Sequence, residues 1–303
     1  MGNTKGSMNA RNTRILELVK QILEDESPVS VRRLHYRCVS LAASQGGWYE
    51  NTQKEYNNLG TLTTRWRKQH VIKYKLISDE TRTKKVPVVW VGVPAFVDSV
   101  KYWYERDCWQ DQTFRVEVWV EKDTLLSVLE GTCSKWQLVL RSLHGNPSIT
   151  CCYEIAKTIA KQYPKEMPVY VLYVGDHDVN GVSIPKTTLS SVRDVLEGRF
   201  NVCNKTLNFE LIGFRPDDFE VCNIESIDPK QISEKDKAGK VRKQEFDDKY
   251  GARYAEVDAL PREILTDRIE AFMESNVDLP QWKKSKSLEA EEQTKIETFG
   301  DTC

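Results

Sequence analysis

The feature that most constrains this chain is the run Val169–Val174 (VYVLYV), closed by Gly175-Asp176-His177-Asp178. It is an unbroken apolar stretch of β-branched and aromatic residues between Pro168 and Gly175. Nothing in it alternates, so it specifies a strand covered on both faces, as in a parallel sheet flanked by helices. Asn180-Gly181 and the helix-like SIPKTTLSSVRDVLEG follow. In open α/β sheets ligands sit beyond the carboxyl ends of the strands, where Asp176 and Asp178 stand. Two carboxylates one residue apart suit a hard cation such as Mg²⁺. Such a pair also serves merely to solvate a turn or cap a helix, and by itself it does not choose.

A second stretch bears on the choice. Phe114–Val120 (FRVEVWV) runs straight into Glu121-Lys122-Asp123, followed by the amphipathic TLLSVLEGTCSKW. Two apolar strands thus deliver Glu121, Asp176 and Asp178 at their C-terminal ends. Carboxylates so gathered repel one another and raise each other's pKa unless a cation joins them. WQLVLRS, a helix near Ser148–Tyr163 and NFELIGF (Asn208–Phe214) extend the strand–helix alternation, which specifies a parallel, doubly wound sheet. After Gly251, RYAEVDALPREILTDRIEAFMES gives a loop and a helix that caps this unit. The charged tail has little periodicity and is expected to be mobile.

The start of the chain reads differently. Residues 1–12 form a polar arm. Asn12 or Thr13 is expected to cap TRILELVKQILEDE, whose Ile15, Leu16, Val19, Ile22 and Leu23 share a face. After Ser27-Pro28, Ser30 is placed to cap VSVRRLHYRCVSLAAS, with Val31, Leu34, Cys38, Val39 and Leu41 inward. A third helix over Thr52–Gln69 turns Leu59, Leu62 and Trp66 inward, and VIKYKLISDETR alternates as a hairpin wing would. Three helices and a wing specify a winged-helix-turn-helix domain.

The expected domains are therefore 1–85 (winged helix), 86–113 (a connection with a short strand between Pro87 and Pro94 and an aromatic helix serving as interdomain core), 114–275 (the α/β metal-binding unit) and 276–303 (tail). A length of 303 residues holds two modest domains. Lys and Arg number 44 against 45 Asp and Glu, so a nucleic-acid surface has to come from local segregation. Thr61–Lys85 supplies it: Arg65, Arg67, Lys68, Lys73, Lys75, Arg82, Lys84 and Lys85 face only Asp79 and Glu80 in sign. That suits phosphate contact, with Trp66 and Tyr74 interleaved, although an ordinary solvated surface reads the same way. The 8 cysteines include no CxxC pair, which fits free thiols in a reducing compartment rather than a zinc site or a secreted framework. No apolar run approaches the roughly 18 residues of a membrane span, and the start has no signal-like core, so a cytoplasmic protein is expected.

Arg32 and Tyr36 lie one helical turn apart and share a face. A phenol is a weak nucleophile at neutral pH, and a neighbouring guanidinium is expected to favour the phenolate and hold the phosphate it attacks. A phosphate contact or a packing pair is the plainer reading of the same two residues.

Arg32-Arg33-Leu34-His35-Tyr36 resembles the Arg-x-x-x-Tyr segment around the catalytic tyrosine of the topoisomerase VI A subunit and the meiotic double-strand-break transesterase. Trp119–Lys122 (WVEK) and Val174–Gly181 (VGDHDVNG) resemble the Glu and Asp-x-Asp motifs of their Toprim domain, and Ala255–Pro261 (AEVDALP) resembles a late element of that domain. The likeness spans roughly residues 10–275 and is nearest to compact A-like proteins of bacterial prophages and plasmids. It implies an Mg²⁺-dependent DNA-cleaving enzyme of the type IIB topoisomerase A-subunit kind. Tyr36 would attack a phosphodiester of double-stranded DNA, Arg32 would orient the phosphate, and Glu121, Asp176 and Asp178 would hold the metal. Lys122 contacts phosphate or is a surface lysine; Glu256, with Asp258 beside it, has a supporting metal role as one reading. His177 points away from the two aspartates and is not taken as a ligand. Cutting both strands implies a homodimer, in which the resembled family sets one protomer's tyrosine against the other's metal. Strand passage implies an ATP-binding B-type subunit on another chain, because no GxxxxGK[ST] stretch occurs here. Two other functions remain open: a Toprim nuclease using metal-activated water, and a DNA-binding partner protein without catalysis.

Overall fold

Three helices sharing one apolar core begin the computed structural model, which describes residues 9–78, 88–203, 206–229 and 236–300. They are α1 (Ala10–Glu26), α2 (Val31–Ala43) and α3 (Gln53–Lys68), with the two-residue strand β1 (Val29–Ser30) between the first pair. Ile15, Val19 and Ile22 of α1, Leu34 and Cys38 of α2, and Leu59 and Trp66 of α3 are all buried together. Asn9, not Asn12 or Thr13, caps α1 by accepting from the Arg11 amide. Ser30 and Thr52 cap the other two helices, each accepting from the amide three residues on.

The expected wing is not what residues 71–78 form. A 3-10 turn at Tyr74–Leu76 leads into β2 (Ile77–Ser78), which pairs in parallel with β1, Val29 opposite Ile77. Ile72 and Ile77 are both drawn into the helical core, so within 71–78 the alternation of VIKYKLIS reports core contacts. The rest of the expected wing, 79–85, lies outside the described residues. Nor does the segment before Pro94 make a strand: 88–92 is irregular and precedes α4 (Val93–Trp103). Trp90, Phe96 and Trp103 are exposed and are not the expected interdomain core, whereas Trp109 is buried.

The second unit is α/β. In chain order it contains β3 (Arg115–Val120), a 3-10 turn (Asp123–Leu125), α5 (Leu126–Lys135), β4 (Val139–Ser142), α6 (Ile149–Gln162), β5 (Val169–Val174), α7 (Val179–Phe200) and β6 (Leu207–Leu211). There follow α8 (Asp218–Val221), α9 (Lys237–Tyr250), a second 3-10 turn (Val257–Ala259), α10 (Arg262–Asn276) and α11 (Leu279–Gly300). The strands form one parallel sheet in the order β4-β3-β5-β6. Its two faces bury different residues of the same strands. Val116, Val118, Val120, Leu172 and Val174 pack with Val128, Leu265 and Ile269 of α5 and α10. Trp119, Val171 and Tyr173 pack with Ile155, Val192 and Leu196 of α6 and α7. Burial on both sides explains why β5 carries no polar alternation.

Residues 276–303 are not a mobile tail as far as 300. Val277 and Trp282 join the core under α10, and Trp282 meets the rings of Trp109 and Trp136 at 5.4 and 5.2 Å. The inward face of α11 continues through polar residues: Glu289 accepts from the Arg106 amide at 2.8 Å, and Glu292 pairs with the Arg106 guanidinium at 2.7 Å. A helix that docks by ion pairs leaves no hydrophobic period to read.

Candidate functional site

Register brings the acids together. Val120 lies opposite Val174, so β3 and β5 end level and the residues after them leave the sheet side by side. The Glu121 amide donates to the Val174 carbonyl at 2.9 Å, and Glu121 Oε2 accepts from the Asp176 amide at 3.1 Å and from the Tyr173 hydroxyl at 3.3 Å. Asp176 is in turn held by a segment far along the chain. His177 and Ala255 exchange both backbone bonds, at 2.9 and 3.0 Å, and the Val257 amide donates to Asp176 Oδ1 at 3.0 Å. That pairing delivers Glu256 and Asp258 to the strand ends, so that Glu121, Asp176, Glu256 and Asp258 are all buried at one place.

Lys122 sits among them. Its Nζ donates to Asp176 Oδ1 at 2.6 Å, to Glu256 Oε2 and to Asp258 Oδ2 at 3.4 Å. Thr124 Oγ1 donates to the other oxygen of Asp258 at 3.1 Å. Burial works against the lysine's charge, but the three carboxylates hold its proton more firmly than usual. Burial also pushes the Asp176 carboxyl up, to about 8; Lys122 pulls it down, while Glu256 and Glu121 add to the rise. Lys122 is therefore neither an ordinary surface lysine nor a free phosphate contact.

Asp178 departs from the expected trio. It is the N-cap of α7, accepting from the Gly181 amide at 2.7 Å. Asp-x-x-Gly ahead of a helix is a capping signal that could have been read from the sequence. Gly181 is fixed by the same turn, because a Cβ there would lie 2.0 Å from the Asp176 carbonyl oxygen. His177 faces away from the acids, as expected, into a cage of Phe214, Phe219, Phe246 and Tyr250 with centroids 4.9–5.8 Å away. Among the described residues, no group of three or more His, Cys, Asp and Glu side chains is spaced to hold a metal ion. The donor set nonetheless fits a hard divalent cation in chemistry: buried carboxylate oxygens in excess over nearby positive charge, one of them pushed well above its ordinary range.

The helix carrying Tyr36 is fastened against this cluster. Arg33, fully buried, donates to the Leu260 carbonyl at 3.0 Å, and Arg37 donates to the Ala259 carbonyl at 3.1 Å. Glu26 joins the two arginines, at 3.0 Å to Arg33 and 2.6 Å to Arg37. None of these three was singled out from the sequence, because charged residues on a helix ordinarily signal solvent. Their contacts hold Arg32 3.6 Å from Glu256 and 3.4 Å from the Tyr36 hydroxyl, so the Arg–Tyr pair faces the acids of its own chain. Tyr36 and Glu256 line a cleft of about 450 Å³ between α2 and residues 224–228. The expected drop in the phenol's pKa is not found. Burial and Glu256 raise it, outweighing Arg32 and Lys122.

Of the expected DNA contacts, Arg65, Lys68, Lys73 and Lys75 are exposed, and Arg67 is half-buried with its guanidinium 5.8 Å from the Tyr74 ring centroid. Trp66 is core. No helix among the described residues is long and apolar enough to cross a membrane. No protein-family model matches the chain, and no curated protein matches it in sequence.

Proposed function

We propose that this protein cleaves double-stranded DNA by transesterification, with Tyr36 as nucleophile and the acids around Lys122 as an Mg²⁺ site, in the manner of a type IIB topoisomerase A subunit. One observation carries the reading: Arg32 and Tyr36, from the helical unit, meet Glu256 and its buried acidic neighbours from the α/β unit across a shared cleft. A tyrosine and a guanidinium next to carboxylates form a set suited to phosphoryl transfer. The Tyr36 hydroxyl oxygen bonds to phosphorus and the bond to the 3′-oxygen breaks. The tyrosine's proton ends on that oxygen, leaving a 5′-phosphotyrosyl ester and a 3′-hydroxyl. Arg32 turns the phosphate towards the phenol. Glu121, Asp176 and Glu256 would hold the cation, with Asp178 fixing the turn, and a bound divalent ion supplies stabilisation of charge on the phosphoryl oxygens. Exposed Arg65, Lys68, Lys73 and Lys75, with Arg67, track the DNA backbone, in the role a winged helix would have. Two copies cut the two strands, each with its own tyrosine, and an ATP-binding partner would be needed for strand passage. The setting that fits is the cytoplasm.

The raised pKa of Tyr36 favours one other reading, a Toprim-like nuclease in which metal-activated water attacks instead. Incubation with supercoiled plasmid and Mg²⁺, then denaturation, separates the two. A transesterase leaves protein covalently on the 5′ ends, and Tyr36→Phe abolishes it. Free 5′-phosphates from both proteins would establish the nuclease, and intact plasmid from both would leave a DNA-binding protein.

A further inference from the structure

Lys122 is the one residue of the acid cluster whose position is at odds with a cation site, and the conflict is informative. Its ammonium has three protons and is given three carboxylates, on Asp176, Glu256 and Asp258. Those acids come from two distant segments, locked together by the backbone exchange of His177 with Ala255 and by the Val257 amide donating to the Asp176 carboxylate. The oxygen-lined point between them is thus built by the fold and filled by Nζ, while Arg32 reaches only its edge at 3.6 Å from Glu256. Two cations cannot share that point, so a divalent ion and the ammonium are mutually exclusive there. Lysine, unlike arginine, is a compact charge on a flexible four-carbon stem and can leave without disturbing the backbone. Its side chain is already about one-sixth exposed, at 17%. Of the cluster, Glu256 lines the cleft that also holds Tyr36.

We infer that Lys122 is the resident counter-ion of the acid cluster, displaced when a divalent cation binds and transferred to the phosphate of the DNA drawn in beside Tyr36. This rests on the cation site proposed above and gives Lys122 a positioning role with two stations. With no metal bound, the ammonium keeps the three buried acids around it from repelling one another. With metal bound, it becomes a cation within reach of the substrate. Loading of the site and presentation of a phosphate contact are then one event.

Mn²⁺ alone is the probe, with binding measured by titration calorimetry and without DNA. Lys122→Met removes the competitor, so Mn²⁺ binds this variant roughly ten-fold or more tighter than the wild type. Equal or weaker binding, or none to either protein, overturns the inference and leaves Lys122 a permanent counter-ion. Should Lys122→Met not fold, the wild type gives the answer by lysine labelling and mass spectrometry. Lys122 is protected without Mn²⁺ and reacts at saturating Mn²⁺; protection in both states overturns the inference. A wild type that releases Lys122 to Mn²⁺ yet forms no DNA adduct upholds the displacement and defeats the transesterase reading. An adduct formed while Lys122 stays protected does the reverse.

Discussion

Two buried ionic clusters face each other across the contact between α2 and the turn at 257–259, and they are balanced in opposite ways. On the helical side one carboxylate, Glu26, is shared by two arginines at 3.0 and 2.6 Å, and each arginine donates once more, to the Leu260 or the Ala259 carbonyl, while Arg33 Nε and Nη1 stay buried without a hydrogen-bond partner among the described residues. On the sheet side three carboxylates surround one ammonium, with Glu121 behind Asp176 and Arg32 at the rim. The first arrangement leaves positive charge over, spread on groups that are permanently charged and bound to fixed carbonyls. The second leaves negative charge over, around a lysine that can move. Burial costs each cluster desolvation. The helical cluster ties its cations to backbone carbonyls across the contact and so fastens the two units; the sheet-side cluster, short of positive charge around a movable lysine, is fitted to receive a cation.

The largest effect expected from this contrast concerns which chain the two halves of the site come from. Arg32 and Tyr36 meet the acids of their own chain, whereas the resembled family pairs a tyrosine with the other protomer's metal. Tyr36→Phe and Asp176→Asn proteins, each inactive, are mixed and allowed to exchange subunits. A site completed within one chain gives no adduct from the mixture, because every site lacks one part. Recovery of single-strand adducts, towards a quarter to a half of the wild-type level, would show that the partner supplies the tyrosine.

Next in size is the difference in stability when each cluster loses an acid. Glu26→Ala strands two buried arginines and is expected to destabilise the protein by about 3–5 kcal/mol. Asp176→Asn removes a carboxyl that its surroundings already push to about 8, and so relieves repulsion while Lys122 keeps Glu256 and Asp258. Its cost should stay within about 1 kcal/mol. Urea unfolding of both variants measures the two together. Equal losses would mean that the sheet-side cluster is as structural as the other.

Much of the sheet side was legible beforehand, because its signals are local. The apolar runs at 114–120 and 169–174 announce strands buried on both faces, and Glu121 and Asp176 follow from where those strands end. Asp258 and the grip on Lys122 depend on the pairing of His177 with Ala255, a contact between residues far apart that no periodicity encodes. The helical side was legible only in its apolar stripe. Arg33 and Arg37 lie on a helix rich in cations, and what buries them is the Ala259–Leu260 backbone, invisible until the two units meet. Asp178 was visible, and of the two tasks its position offered, ligand or helix cap, the fold shows the cap. The docking of α11 escaped because Glu289 and Glu292 do work usually given to leucine.

A smaller effect separates the clusters from the exposed charge on α3 and after it. Lys73→Ala and Lys75→Ala leave both clusters untouched and should weaken DNA binding evenly across sequences. Each phosphate that a removed lysine had neutralised lowers the slope of log affinity against log salt by about 0.9. Fluorescence anisotropy over a salt series reads it, and an unchanged slope in the double variant would remove this surface from the binding face.

The smallest effect concerns a buried titratable group of the helical side. His35, buried beside Tyr36 on α2, has Nδ1 3.0 Å from the Tyr49 hydroxyl and Nε2 3.3 Å from Asn51 Oδ1. A neutral ring with its proton on Nε2 satisfies both contacts, donating to Asn51 and accepting from Tyr49. Burial lowers the pKa of His35, with Asn51 and Glu55 pulling the other way. The folded state therefore takes up this proton later than the unfolded chain does. Stability from this group is complete above the unfolded value near 6.5 and is lost as pH falls towards the lower folded value, by at most about 1.4 kcal/mol per pH unit within that window. The Tyr49 hydroxyl softens the loss: it can turn to donate to the Glu55 carbonyl, 3.4 Å away, and accept from a newly protonated Nδ1. His35→Gln, which keeps a donor and an acceptor but cannot titrate, should flatten the acid limb of the stability curve below about pH 6.5. An unchanged limb would assign that loss to the carboxylates and leave His35 a packing residue.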